Sequence, residues 1–186
     1  KMTRIQALLV TAVITLTSTV MAESPARKTH TMESHFVEVA RLLSTSDSFA
    51  AARYIQRQGA PDDVMKIYLE TAQWLYNSRK DVGGMIAVSR AGIHYGLNEA
   101  ERLQDADATM SDRLRSAAKA MSFNLGANTW PGWGDEGILL TRSDHAVGLD
   151  AAKLNLRLAS ELERDALPLC NAHWLVAVHL IVAGDE

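Results

Sequence analysis

PDDVMKIYLETAQWLYNSRKDVGGMIAVSRAGIHYGLNEAERLQ, residues 61–104, holds two apolar periodicities separated by a short polar break. Val64, Ile67, Tyr68, Ala72 and Leu75 recur at threes and fours, and so do Val82, Ile86, Ser89, Ile93, Leu97, Ala100 and Leu103. With 3.6 residues per turn, that spacing gathers the apolar side chains on one face, so each half reads as an amphipathic helix. Pro61 stands where a first helical turn begins, a position with no intrahelical amide bond to lose. Two long helices with so short a connection form an antiparallel hairpin.

The same signals extend in both directions. They predict helices over 32–44, with Phe36, Val39, Ala40 and Leu43 on one face, and over 48–58, opened by Ser46 or Asp47 and closed by Gly59. Further helices are expected over 112–126 with Ser111 as N-cap, over 144–162 behind Thr141 or Ser143, and over 171–183. Pro25, Pro131 and Pro168 fall between periodic stretches, Pro168 separating two apolar segments. No alternating strand pattern occurs, so the expected class is all-α. A chain of 186 residues that is 47% hydrophobic and 22% charged, with one Cys and four Pro, has material for a core. That composition excludes collagen-like, disulfide-scaffold and disordered classes.

Small residues decide between a bundle and a stack, because packed hairpins need Gly or Ala where backbones approach. Tyr68, Ala72 and Leu75 on the first helix, then Gly84, Val88 and Ala91 on the second, show a large-small-large and small-large-small order. This pattern resembles the tetratricopeptide repeat, with Gly96 where that family usually has Pro. Trp174, Ala177, Leu180, Gly184 and Asp185 look like the first helix of a further repeat and its turn. Leu114, Ala118 and Met121 with residues 144–162 match if the loop Gly126–Ser143 is an insertion. The resemblance covers 61–186 and implies an α-solenoid of stacked hairpins whose concave face binds peptide or protein partners. It carries over no catalytic residue.

The chain starts with a different signal. Lys1 and Arg4 precede an uncharged run, Ile5–Val20, and then Val20-Met21-Ala22, small residues at the spacing of a signal-peptide cleavage site. Residues 1–22 are therefore expected to be an export signal and 23–31 a flexible polar segment. The helical domain follows over 32–186, and the location is periplasmic or secreted. The run is short and diluted by Thr and Ser for a membrane anchor. Without residues 1–22 the balance is 17 basic against 22 acidic residues, a net −5, which disfavours nucleic acid. Lys1 before Met2, and an end at Gly184-Asp185-Glu186, lead to the expectation of a fragment, incomplete at its C-terminus. The final apolar segment, Ala172–Ala183, is read as a buried helix too short to span a membrane, and Cys170 beside it as a small buried hydrophobe.

The feature that stands out in a helical chain is the segment from Gly126 to Gly137, with two of the four Trp and four of the eleven Gly. Trp130 and Trp133 beside Asn128, Asp135 and Glu136 form a candidate stacking platform for a sugar or peptide. The competing expectation is that both indoles fold back over the ends of the flanking helices and seal their core. Other motifs fail. His173 and His179, six apart, fall on different faces of a helix, and with one Cys no thiolate zinc site exists. Asp105, Asp107 and Asp112 begin like a calcium loop, but Met110 and Ser116 occupy the positions that need Gly and Glu. Ser143-Asp144-His145 is a local run, not a triad. No metal or cofactor is expected. The expectation is an exported repeat scaffold that binds a protein or peptide, with no membrane span after cleavage. The alternative is an all-α small-ligand binder or enzyme with its site in the Trp130–Glu136 loop.

Overall fold

A computed structural model describes residues 31–184, and all secondary structure among them is helical. The expected export signal and most of the polar segment after it lie outside the described residues. The order is α1 (Met32–Thr45), α2 (Ser48–Gln56), α3 (Pro61–Asn77), α4 (Val82–Leu103) and α5 (Ala108–Asn128). A one-turn 3-10 helix, Pro131–Trp133, follows, then α6 (Arg142–Glu161) and α7 (Ala166–Gly184).

The starts are set by side-chain caps. Thr31, Asp47, Asp81, Asp107 and Thr141 each accept a hydrogen bond from an amide in the first turn, a contact that contributes about 1 kcal/mol. Thr141 and Asp144 complete a reciprocal capping box. Ser111, expected to cap α5, lies one turn inside it. Asp107 takes the cap, and Ser111 is buried and donates its hydroxyl to the Ala100 carbonyl at 2.7 Å. Gly126, Ala127 and Asn128, expected in the loop, are the last turn of α5.

Consecutive long helices run antiparallel. A Cβ built on Gly96 would lie 3.0 Å from Met65 and one on Gly92 would lie 2.9 Å from Tyr68, so α3 and α4 pass in opposite directions. The same test sets Gly92 against Met121 and Gly96 against Ala118 across α4 and α5. Across α5 and α6, Asn155 Nδ2 donates to the Lys119 carbonyl at 2.8 Å, and Arg115 pairs with Glu161 at 2.6 Å. Each helix from α3 to α7 packs most closely on a neighbour in the chain, α4 against α5 above all, and α1, α2, α3 and α5 also touch the next but one. Tyr68, Leu75, Met85, Leu114, Met121, Leu125 and Leu158 are fully buried along this succession. Burying each such side chain stabilises the fold by about 1.5–3 kcal/mol.

Helix α7 departs from expectation. It has 19 residues rather than about a dozen, and it is long and apolar enough to cross a membrane by length and composition alone. The reason is Pro168, which sits in the first turn, where its missing amide breaks no bond, so the helix begins before it. Nor is α7 buried: 17% of its apolar window is covered, by Ala172, Leu175 and His179 facing α5 and α6. Leu167, Leu180, Ile181 and Cys170 are exposed, so Cys170 is not the buried hydrophobe expected.

Candidate functional site

The loop between α5 and α6 is held in place before any ligand is considered. Trp133 Nε1 donates to the Ala127 carbonyl at 2.8 Å, an acceptor in the last turn of α5 that also takes the Trp130 amide. The Trp130 ring lies over Gly132, where any side chain would collide with the indole. Gly134 has φ +63° and Gly137 φ +77°, left-handed conformations that glycine adopts without strain. Trp130 meets Trp133 edge-on at 4.9 Å between ring centroids and Trp174 of α7 at 5.4 Å, so three indoles from two segments make one cluster. The indoles thus pack against α7 as well as the end of α5, and Trp133 remains half exposed.

Beside that cluster is a cleft of about 170 Å³, lined by Trp130, Trp133, Asp135, Leu140, Tyr76 and His145 among others. Tyr76 reaches it from α3 and donates its hydroxyl to Asp135 Oδ2 at 2.6 Å. Burial, then the hydrogen bond and charge of Asp135, hold the Tyr76 phenol far above its usual pKa, so it stays a donor. His145 Nε2 is buried and has no hydrogen-bond partner among the described residues. Of the residues expected here, Trp130, Trp133 and Asp135 come together, while Asn128, in the last turn of α5, and Glu136, exposed, do not line the cleft. Tyr76 and His145 are the contributions that loop composition did not reveal. Asp144 is committed to the α6 capping box rather than to His145.

A larger groove, about 340 Å³, runs between α4 and α6 over Leu125 of α5. Ile93, Leu97, Val147, Ala151 and Leu154 form its apolar walls, and Arg90, His94, Asp150 and Arg157 its rim.

The residues singled out by their small-and-large order are placed as follows. Tyr68, Ala72, Leu75, Gly84 and Val88 are buried and Ala91 is half-buried, all between α3 and its neighbours or within α4. The space beside Gly84 is filled by its own cap, Asp81, rather than by α3. Ala177 and Gly184 are exposed, and a Cβ on Gly184 would meet nothing within 4 Å. Among the described residues no three His, Cys, Asp or Glu side chains are grouped to hold a metal.

The interface of α5, α6 and α7 contains an imidazole whose pKa is lowered. His179 is buried, with Nε2 2.9 Å from the Gly126 carbonyl and Nδ1 without a partner among the described residues. Desolvation lowers its pKa, as does the nearby His145, against the opposing effect of the Gly126 hydrogen bond.

Compared with known proteins, the chain matches no family model, no curated protein and no solved structure.

Proposed function

We propose that the chain is an exported helical-repeat scaffold, stacked in the manner of a tetratricopeptide solenoid, that holds a peptide segment of a protein partner between α4 and α6. The observation that carries this reading is the α4–α6 groove. Its walls are five aliphatic side chains and its floor is Leu125, which suits a few apolar anchors of a partner rather than a polar metabolite. On the rim Arg90 and Arg157 outnumber Asp150, in a chain whose formal charge is −3, so the fitting partner has carboxylates flanking its apolar anchors. Close packing of the helices on their chain neighbours, with further contacts of α1, α2, α3 and α5 to the next but one, supports a one-dimensional stack, in which extended binding surfaces are usual.

Selecting binders from a displayed random-peptide library tests this. Apolar peptides with flanking Asp or Glu are expected, and their affinity is expected to fall about tenfold or more in the Arg90→Glu/Arg157→Glu protein. Both arginines are exposed, so the fold is not at stake. Peptides that bind the reversed rim equally well would place recognition elsewhere. The uncharged run Ile5–Val20 supports export, and N-terminal sequencing of the secreted or periplasmic protein is expected to begin at Glu23. A retained Met2-Thr3-Arg4 would refute it.

A further inference from the structure

We infer that the cleft at Trp130, Trp133, Tyr76, Asp135 and His145 binds an alkylammonium group, a small organic cation whose charge is carried on a carbon-rich surface. The site is separate from the α4–α6 groove and does not depend on it.

Three observations point to this chemistry. The walls are two indoles, and the face of an indole carries negative charge density that attracts a cation, above all one too greasy to be well hydrated. The Asp135 carboxylate has no basic partner among the described residues, and its one hydrogen bond comes from a neutral hydroxyl, Tyr76. The negative charge at the rim is therefore uncompensated. His145 lines the same cleft, its buried Nε2 without a hydrogen-bond partner among the described residues, and adds a third aromatic ring besides the two indoles.

The cleft is also rigid where a cation cage has to be. Trp133 is tied to the Ala127 carbonyl, Trp130 is pinned over Gly132 and against Trp174, and Asp135 is held by a tyrosine rooted in α3. Little ordering remains to be done on binding, which favours affinity. At about 170 Å³ the space fits a head group or the end of a side chain, not a drug-sized molecule. A neutral sugar would need several hydrogen-bonding groups around its ring. The polar side-chain groups on this lining are the Tyr76 hydroxyl and Asp135 carboxylate, engaged with each other, the Trp133 N–H, tied to the Ala127 carbonyl, the Trp130 N–H and the His145 ring.

Tryptophan fluorescence of the whole protein, titrated with tetramethylammonium chloride against sodium chloride at equal ionic strength, is the test. A saturable change is expected with tetramethylammonium and absent with sodium. The Asp135→Asn variant keeps an oxygen for the Tyr76 hydroxyl but loses the charge, and is expected to bind about tenfold more weakly with unchanged circular dichroism. Trp133→Ala should weaken binding by a similar factor. Choline and N-acetyl-trimethyllysine amide then distinguish a free metabolite from a protein side chain by which binds more tightly. No saturable response to any of the three cations, an equal response in Asp135→Asn, or a response to neutral glucose instead, would overturn the assignment.

Discussion

Substituting Val for Gly92 is expected to lower the unfolding free energy by about 3 kcal/mol, at the upper end of what overpacking costs a well-packed core. A Cβ alone at this position would sit 2.6 Å from Met121 Sδ and 2.9 Å from Cβ and Cγ of Tyr68. Neither neighbour has room to move: both are fully buried, and the Tyr68 hydroxyl is engaged by the Ala52 carbonyl and the Gln56 amide. Valine adds two further carbons to that clash, so α3 and α5 must both retreat from α4. The melting temperature should drop by roughly 10 °C for a domain of this size. Gly83→Ala is the matched control. Gly83 is exposed in the same helix, and its nearest non-local atom is Asp81 Oδ1 at 3.8 Å, so alanine should be neutral or stabilise by up to about 1 kcal/mol. Equal melting of Gly92→Val and wild type would mean that the three helices do not meet at this point.

Gly92 also shows where the sequence stops being informative. The stretch 82–100 offers Gly83, Gly84, Ala87, Ala91, Gly92, Gly96 and Ala100, and several helix registers place a small residue at a crossing. The order of large and small residues favoured Ala72 and Gly84. In the fold Gly84 lies in the first turn of α4, where Asp81 accepts its amide at 2.8 Å and fills its space, and the tight contact falls two turns on. Periodicity fixes which face is buried, but the register of two packed helices is set by the connection between them and by every side chain at the contact. Helix existence was therefore legible, from Pro61 to the Thr141 cap, while the point of closest approach was not.

The candidate site divides along the same line. The density of Trp and Gly in residues 126–137 marks the segment as unusual, because that composition is local. Its partners are not local. Tyr76 is 59 residues from Asp135 in the chain, and Trp174 arrives on a helix that Pro168 had seemed to interrupt. A proline in the first turn and a proline between two segments look alike in sequence, since both follow a polar break. Only the presence of Ala166 and Leu167 in helical conformation ahead of it distinguishes them.

Acid is expected to weaken the fold through the buried imidazole of His179, and the sign follows from the direction of its shift. His179 is neutral at pH 7, with Nε2 donating to the Gly126 carbonyl and the unpartnered Nδ1 buried. Around the ring stand Thr129, whose hydroxyl already serves the Leu125 carbonyl, the backbone at Gly148, and His145. None of these offers a negative charge to a protonated imidazole, and desolvation is the largest cause of its lowered pKa. The unfolded chain takes up a proton at His179 near pH 6.5, which the folded chain resists until lower pH. Stability is therefore insensitive to this group above about pH 7 and falls below pH 6.5, by up to about 1.4 kcal/mol per pH unit until the folded pKa is reached. Urea denaturation at pH 7.5, 6.5, 5.5 and 5.0 measures it, with His179→Gln beside the wild type. Glutamine keeps an N–H for the Gly126 carbonyl and cannot take up the proton, so its stability should decline less over this range. Every other titratable group is common to the two proteins, so the difference between the two curves isolates His179. Parallel curves would show that its protonation costs the folded state nothing, and the packing of α7 on Gly126 and Gly148 would then have to leave the ring open to water.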